Sequence, residues 1–307
     1  MSSQRQSRSQ GESISRRSFI ATSMAAGAFT LLAPRANAAP SSVIESHAAR
    51  TEGVTEMIAQ STAAQTSRPT VVLVHGAFAE SASWNEVASR LLDQGYPIVA
   101  VANPLRGVTV DADYTAGILK SISGPIVLVG HSYGGMVISQ AATGNANIVG
   151  LVFVAGFAPE AGEQAGELTS RFPGSTLGPT LTPPIALPDG GSDVAIQQER
   201  FWAQFAADVP EAEAKVMAVT QRPAALAAFS DPAGPPAWKT IPSRFIYGEL
   251  DKNIPAALQG FMAERAGSLE TVEVMGASHV VMVSHPDAVA AMIVNAAVAR
   301  TPAASAA

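Results

Sequence analysis

One stretch of the chain, residues 125–135, reads PIVLVGHSYGG and decides the fold prediction. Pro125–Val129 is an unbroken apolar run, and such runs are typical of strands that are buried on both faces. A glycine-flanked turn follows immediately, and Gly135–Thr143 is predicted to be a helix. The stretch therefore predicts a strand, a tight turn and a helix, with Ser132 at the apex of the turn.

The chain on both sides of this stretch alternates the same two patterns. The other predicted strands are Thr70–Val74, Pro97–Ala102, Ile148–Ala155, Ser243–Tyr247 and Leu269–Met275. The other predicted helices are Ser83–Gln94, Tyr114–Ile122, Ala256–Ala266 and Pro286–Val298. Strands that alternate with helices predict an α/β fold with a doubly wound, mostly parallel sheet.

The alternation breaks between Gly156 and Trp238. This segment contains proline-rich loops and several predicted helices, of which Asp193–Ala207 is the clearest, and no strand-like run. An insertion between two halves of a sheet predicts a helical cap over an active site, and an elaborated surface loop is the alternative. We place the cap at about residues 157–238 in a domain of residues 69–298, followed by a tail at residues 299–307.

The first 38 residues are typical of an export signal. Arg16 and Arg17 precede the mildly apolar run Ala21–Leu32, and Ala36-Asn37-Ala38 forms a small-x-small cleavage site. The paired arginines resemble a twin-arginine signal, and the run is shorter than the ~20 residues of a membrane span. We therefore predict cleavage, a periplasmic or secreted protein without stable membrane anchoring, and a linker at residues 39–68.

Composition narrows the chemistry and the partners. The 307 residues are 47% hydrophobic and 14% charged and contain no cysteine, which excludes disulfides, thiolate metal sites and cysteine nucleophiles. The predicted leader holds five arginines and one glutamate, so the remaining residues carry 14 basic and 24 acidic side chains and a net charge of −10 instead of −6. An acidic body argues against nucleic acid and anionic membranes as partners.

Ser132 needs a base to act as a nucleophile, because a free serine hydroxyl is barely ionised near neutral pH. His279 follows the last predicted strand, and loops at the carboxyl ends of parallel strands build sites in open sheets. His285 precedes a proline and suits the entrance of a helix, His131 should point away from Ser132, and His75 is predicted to brace its loop. The sequence therefore favours His279 as the base.

The third catalytic group must orient and stabilise the charged imidazole. Asp251 follows the first strand after the insertion, although Glu249 is a rival acid and Asp251 could instead cap the next helix. The order serine, aspartate, histidine along the chain is that of the α/β-hydrolases. For the oxyanion hole, the backbone N–H groups of Ala77 and Tyr133 are the candidate donors.

Several aromatic and apolar side chains are candidates for the substrate pocket, with ordinary core packing as the alternative. They are Phe78, Trp84, Met136, Phe157, Phe201, Trp202 and Phe205.

Four motifs together resemble the α/β-hydrolase superfamily in order and spacing over residues 69–298. They are Val72–Ala77, Gly130–Gly135, Gly248-x-x-Asp251 and Gly276-x-x-His279. The strand-His-Gly-Ala loop and the serine turn are similar to those of the branch that holds carboxylesterases, methyl-ester esterases and hydroxynitrile lyases. The resemblance implies oxyanion donors at Ala77 and Tyr133, a helical cap, and no metal or organic cofactor.

Two departures from relatives within this branch narrow the reaction. Hydroxynitrile lyases of this branch carry a lysine after the triad histidine and a threonine at the strand-His-Gly turn, where this chain has Val280 and Gly76. Haloalkane dehalogenases need an aspartate nucleophile at this turn, so Ser132 excludes that activity. Cofactor-free haloperoxidases share the serine triad and remain possible. We predict a serine hydrolase that cleaves small to medium carboxylic esters through an acyl-enzyme. Hydrolysis of a lactone, amide or thioester and a non-catalytic binding protein remain alternatives.

Overall fold

A computed structural model describes residues 68–188 and 190–299, which lie within one compact unit. The predicted export signal, the linker and the tail lie outside these ranges, apart from Arg68 and Ala299. In chain order, the strands are β1 Thr70–Val74, β2 Ile98–Val101, β3 Ile126–His131, β4 Ile148–Val154, β5 Ile185–Ala186, β6 Ser192–Val194, β7 Ala224–Ala225, β8 Ser243–Gly248 and β9 Glu270–Val274. The α-helices are α1 Asn85–Asp93, α2 Val108–Lys120, α3 Gly134–Ala141, α4 Ala165–Ser170, α5 Gln198–Phe205, α6 Glu211–Thr220, α7 Ala227–Ser230, α8 Ala256–Arg265, α9 Val281–Ser284 and α10 Pro286–Val298.

The central sheet has six strands in the order β2-β1-β3-β4-β8-β9, and all neighbouring strands are parallel. Val72 in β1 pairs with Val99 in β2 on one side and with Leu128 in β3 on the other. The apolar runs of β1 and β3 are buried along almost their whole length, because helices cover both faces of the sheet. The predicted doubly wound α/β fold is confirmed.

The strand order explains how the helices divide between the two faces. The chain moves from β1 outward to β2 and then returns past β1 to β3, and each crossover is expected to be right-handed. Helices before and after this reversal therefore lie on opposite faces. The contacts agree, since α1 packs against α10 while α2 packs against α3.

The insertion between β4 and β8, for which the sequence predicts a helical cap and which is called the cap below, is not purely helical. Its strands β5, β6 and β7 form a small antiparallel sheet, so the expectation that no strand lies there is wrong. These strands have two or three residues each, too few for a period-2 pattern to be visible in the sequence. Helix α5 begins at Gln198 and not at the predicted Asp193, because residue 193 belongs to the short strand β6.

Helix α2 begins at Val108, six residues before the predicted start at Tyr114. The carboxylate of Asp111, which is fully buried, accepts hydrogen bonds from the backbone N–H of Arg106 at 3.0 and 3.1 Å. This contact folds the preceding loop onto the first helical turn, an effect that apolar spacing does not reveal. Among the described helices, none is long and apolar enough to cross a membrane.

Candidate active site

The candidate catalytic residues lie at the carboxyl ends of the parallel strands. The strand order reverses at β1, and open α/β sheets bind ligands in the crevice beside such a reversal. Residues 75–78 directly follow β1 at this reversal, and Ser132 directly follows the neighbouring strand β3. Asp251 and His279 follow β8 and β9 along the same edge.

Ser132 occupies a strained turn between β3 and α3. Its backbone φ is 53°, a left-handed conformation that costs a residue with a side chain about 1–3 kcal/mol. Its carbonyl accepts hydrogen bonds from the N–H groups of Gly135 at 2.9 Å and Phe157 at 3.1 Å, which hold the turn. Gly76 explains how the β1 loop approaches so closely, because a Cβ there would lie 2.6 Å from the Ser132 Cβ.

His279 is bound to the carboxylate of Asp251. The imidazole Nδ1 lies 2.7 Å from Asp251 Oδ2, and both side chains are buried. Asp251 Oδ1 accepts hydrogen bonds from the N–H groups of Asn253 at 2.8 Å and Ile254 at 2.9 Å. The carboxylate thus holds its own loop through Oδ1 and faces His279 through Oδ2. The rival acid Glu249 instead accepts from the Gly276 N–H at 2.9 Å.

The other ring nitrogen of His279 is available for proton transfer. Nε2 is buried and has no hydrogen-bond partner in the part of the chain that the structure describes. His279 and Ser132 line the same cavity. A base needs such a free nitrogen next to the hydroxyl that it deprotonates.

His131 is a neutral neighbour of the candidate base. Its ring centroid lies 4.8 Å from that of His279, and its Nε2 donates to the His279 carbonyl at 3.2 Å. Burial lowers the pKa of His131 well below its ordinary value, and the nearby His279 lowers it further. His131 is therefore neutral beside the candidate base.

Two backbone N–H groups are available as oxyanion donors. Those of Ala77 and Tyr133 donate to no other group in residues 68–188 and 190–299, and both residues line the cavity. The Tyr133 hydroxyl donates to Asp111 Oδ2 at 2.8 Å, which anchors the Tyr133 side chain to α2. Burial, and then Asp111, raises the pKa of Tyr133, so the phenol keeps its proton.

His75 braces the β1 loop through both ring nitrogens. Its Nε2 accepts from the Asn103 N–H at 3.0 Å, so Nδ1 carries the proton and donates to the Gly76 carbonyl at 3.0 Å. Burial lowers the pKa of His75, which keeps the ring neutral in this role.

Gln259 is a site residue that the sequence reasoning missed. This α8 side chain is 1% exposed, and its Nε2 donates to Asp251 Oδ2 at 2.9 Å, the same oxygen that faces His279. It also donates to the Ile254 carbonyl at 2.9 Å. Nothing in the sequence marks it, because a glutamine eight residues after the acid belongs to no motif.

Replacing Gln259 with methionine should lower kcat by about ten- to a hundredfold and leave KM nearly unchanged. Methionine has a similar volume but no N–H, so the Asp251 carboxylate loses one of the groups that orient it toward His279, and small misplacements of this kind reduce rates. The measurement is steady-state ester hydrolysis with thermal unfolding as the control. An unchanged kcat in a folded variant would show that the amide does not position Asp251.

The cavity above Ser132 has a volume of about 410 Å³. Of the predicted pocket residues, Phe78, Phe157 and Phe205 line it, whereas others lie elsewhere. The predicted residues outside the cavity lining are Trp84, Met136, Phe201 and Trp202.

Their packing explains where these four side chains lie. Trp84, Met136 and Phe201 are fully buried in the core, and Trp202 is 39% exposed with its Nε1 donating to the Val209 carbonyl at 3.0 Å. For these four residues, the pocket expectation is replaced by core or surface packing. Within the described residues, no group of three or more histidine, aspartate or glutamate side chains could hold a metal ion.

Comparison with known proteins agrees with this architecture. The sequence model of the alpha/beta hydrolase family matches residues 71–292, so the chain belongs to the alpha/beta hydrolase family. It is 27% identical over 250 residues to "Alpha/beta hydrolase nvfD" of Aspergillus novofumigatus, covering 75% of this chain and 97% of that protein.

Two solved structures share the fold. The crystal structure of polyneuridine aldehyde esterase superposes with a TM-score of 0.65 at 19% identity and covers 74% of this chain and 98% of its own. A pyrethroid hydrolase from Sphingobium faniae JZ-2 superposes with a TM-score of 0.59 at 22% identity and covers 75% and 98%.

Proposed function

We propose that this alpha/beta hydrolase is a serine esterase that cleaves uncharged carboxylic esters through an acyl-enzyme. The observation that carries the proposal is the placement of His279. One ring nitrogen binds the buried Asp251 carboxylate, the other has no hydrogen-bond partner among the described residues, and His279 lines the same cavity as Ser132.

Each residue of the site has a separate role in the proposed reaction. His279 Nε2 accepts the Ser132 proton as the hydroxyl attacks the ester carbonyl, and Asp251 stabilises the imidazolium that forms. The N–H groups of Ala77 and Tyr133 donate to the oxyanion of the tetrahedral intermediate. His279 then protonates the leaving alcohol, and it later activates the water that hydrolyses the acyl-enzyme.

The cavity lining favours an uncharged, largely apolar substrate. Among the described residues that line it, none is Asp, Glu, Lys or Arg, and five are phenylalanines. These are Phe78, Phe157, Phe172, Phe205 and Phe229. A volume of about 410 Å³ lies at the smaller end of ligand sites, which fits an ester of small to medium size.

The names of the structural relatives support the same class of reaction. One carries the name polyneuridine aldehyde esterase, and another the name pyrethroid hydrolase. Both share this chain's fold at less than 25% identity, so the proposal depends on the residues of this site.

A matched pair of esters tests the proposal. The enzyme should hydrolyse p-nitrophenyl butyrate with a kcat/KM at least about tenfold higher than p-nitrophenyl hydrogen succinate, whose acyl chain has the same length but ends in a carboxylate. The carboxylate would lose its hydration, and no lysine or arginine among the described lining residues would compensate for that loss of free energy. The measurement is the initial rate of p-nitrophenol release against substrate concentration. Equal rates, or no turnover of any neutral ester, would contradict the proposal.

A further inference from the structure

The cap touches the segment that carries His279. The hydroxyl of Ser278, the residue before His279, donates to Asp208 Oδ1, and it lies 3.4 Å from the Phe205 carbonyl. Phe205 ends α5, and Asp208 lies in the loop between α5 and α6, so both belong to the cap. The Phe205 ring also packs against the His279 imidazole, with 5.0 Å between centroids and an interplanar angle of 61°.

Asp208 is held in a largely enclosed position. Its side chain is only 17% exposed, and its second carboxylate oxygen faces His285 Nε2 at 3.5 Å. Ser278 is 2% exposed. Burying a carboxylate costs free energy unless it accepts hydrogen bonds. The hydrogen bond from the Ser278 hydroxyl therefore fixes the position of this cap loop.

The direction of His279 Nε2 depends on the peptide that carries the imidazole. His131 holds this peptide from the sheet by donating to the His279 carbonyl at 3.2 Å. The Ser278–Asp208 hydrogen bond holds the preceding residue from the cap. Asp251 fixes the ring through Nδ1. The contacts of the His279 carbonyl and of the Ser278 hydroxyl fix the stretch of chain from which the ring extends.

We propose that Asp208 is a positioning residue, which aligns His279 with Ser132 by holding Ser278. The inference rests on the proposed serine mechanism. It assigns the cap a part in the chemical step, in addition to its part in enclosing the substrate. Small displacements of a catalytic group are enough to change rates by orders of magnitude.

The test compares Asp208→Ala, Ser278→Ala and the double variant with the wild type. The readouts are the second-order rate at which a small fluorophosphonate probe modifies Ser132, and kcat and KM for p-nitrophenyl acetate. Each single variant should lower the labelling rate and kcat about tenfold or more with KM within about twofold, because the base is misaligned but the cavity is kept. The double variant should lose no more than the single variants, since both remove one interaction. Asp208→Asn keeps an acceptor for Ser278 and should retain most of the rate.

Asp193→Ala provides the matched control. Asp193 is another acidic cap residue, but its ion pair at 2.7 and 3.2 Å is with Arg106 and not with the segment that carries His279. This variant should keep the wild-type labelling rate even if it unfolds at a lower temperature.

The outcomes separate the two proposals. A wild-type enzyme that the probe does not label would refute the serine mechanism itself. A labelled wild type with unchanged rates in Asp208→Ala and Ser278→Ala would overturn the positioning role. Equal slowing in Asp193→Ala and Asp208→Ala would also overturn it, since any loosening of the cap would then have the same effect. If Asp208→Ala does not fold, Ser278→Ala alone decides the question.

Discussion

Replacement of Ser132 by alanine should reduce the kcat for ester hydrolysis by at least about 10⁴-fold, because the oxygen that attacks the ester carbonyl is removed. The fold should be retained, since alanine fits the same buried turn and the hydrogen bonds that hold this turn are accepted by the backbone carbonyl of residue 132. The measurement is p-nitrophenyl butyrate hydrolysis with thermal unfolding as the control. A folded variant that keeps more than about a tenth of the activity would contradict the assignment of Ser132.

Asp251→Asn should lower kcat by about 10⁴-fold with little change in structure. The backbone N–H groups of Asn253 and Ile254 donate to Oδ1, so the amide oxygen of the variant will occupy that position. The amide nitrogen then replaces Oδ2 and donates to His279 Nδ1, while the Gln259 amide, which donates to Oδ2 in the wild type, must rotate. This forces the proton onto Nε2, the nitrogen that must accept the proton of Ser132.

Glu249→Gln is the control for this prediction. Glu249 is the other acid in the same loop and accepts from the Gly276 N–H, so its variant should keep a kcat close to the wild type. Steady-state kinetics of both variants on one ester distinguishes the two acids. A large loss in Glu249→Gln with a small loss in Asp251→Asn would reverse the assignment.

The sequence was sufficient to predict the sheet and to propose the three catalytic residues. Strands such as β1 and β3 are continuous apolar runs, and their ends carry short motifs whose spacing is set by local backbone geometry. The turn at Ser132 is an example. Its left-handed φ and the glycines beside it follow from the geometry of a few adjacent residues. Such local constraints can be read from the sequence without knowing the rest of the fold.

Features that depend on distant contacts could not be predicted in this way. Gln259 reaches Asp251 from the helix that follows its loop, where no motif marks the glutamine, and Asp208 reaches Ser278 across 70 residues of chain. The two- and three-residue strands of the cap form because the insertion folds back on itself, not because of their own pattern. Trp84 and Trp202 show the same limit, since composition favoured them for the pocket while tertiary packing places them in the core and at the surface.

Covalent labelling tests the central claim most directly. The full chain is treated with a fluorophosphonate probe, and the modified peptide is identified by mass spectrometry. The serine mechanism predicts a single adduct on Ser132 that is absent from Ser132→Ala and forms much more slowly in Asp251→Asn. No adduct on the folded protein, or an adduct on a different serine that persists in Ser132→Ala, would contradict it.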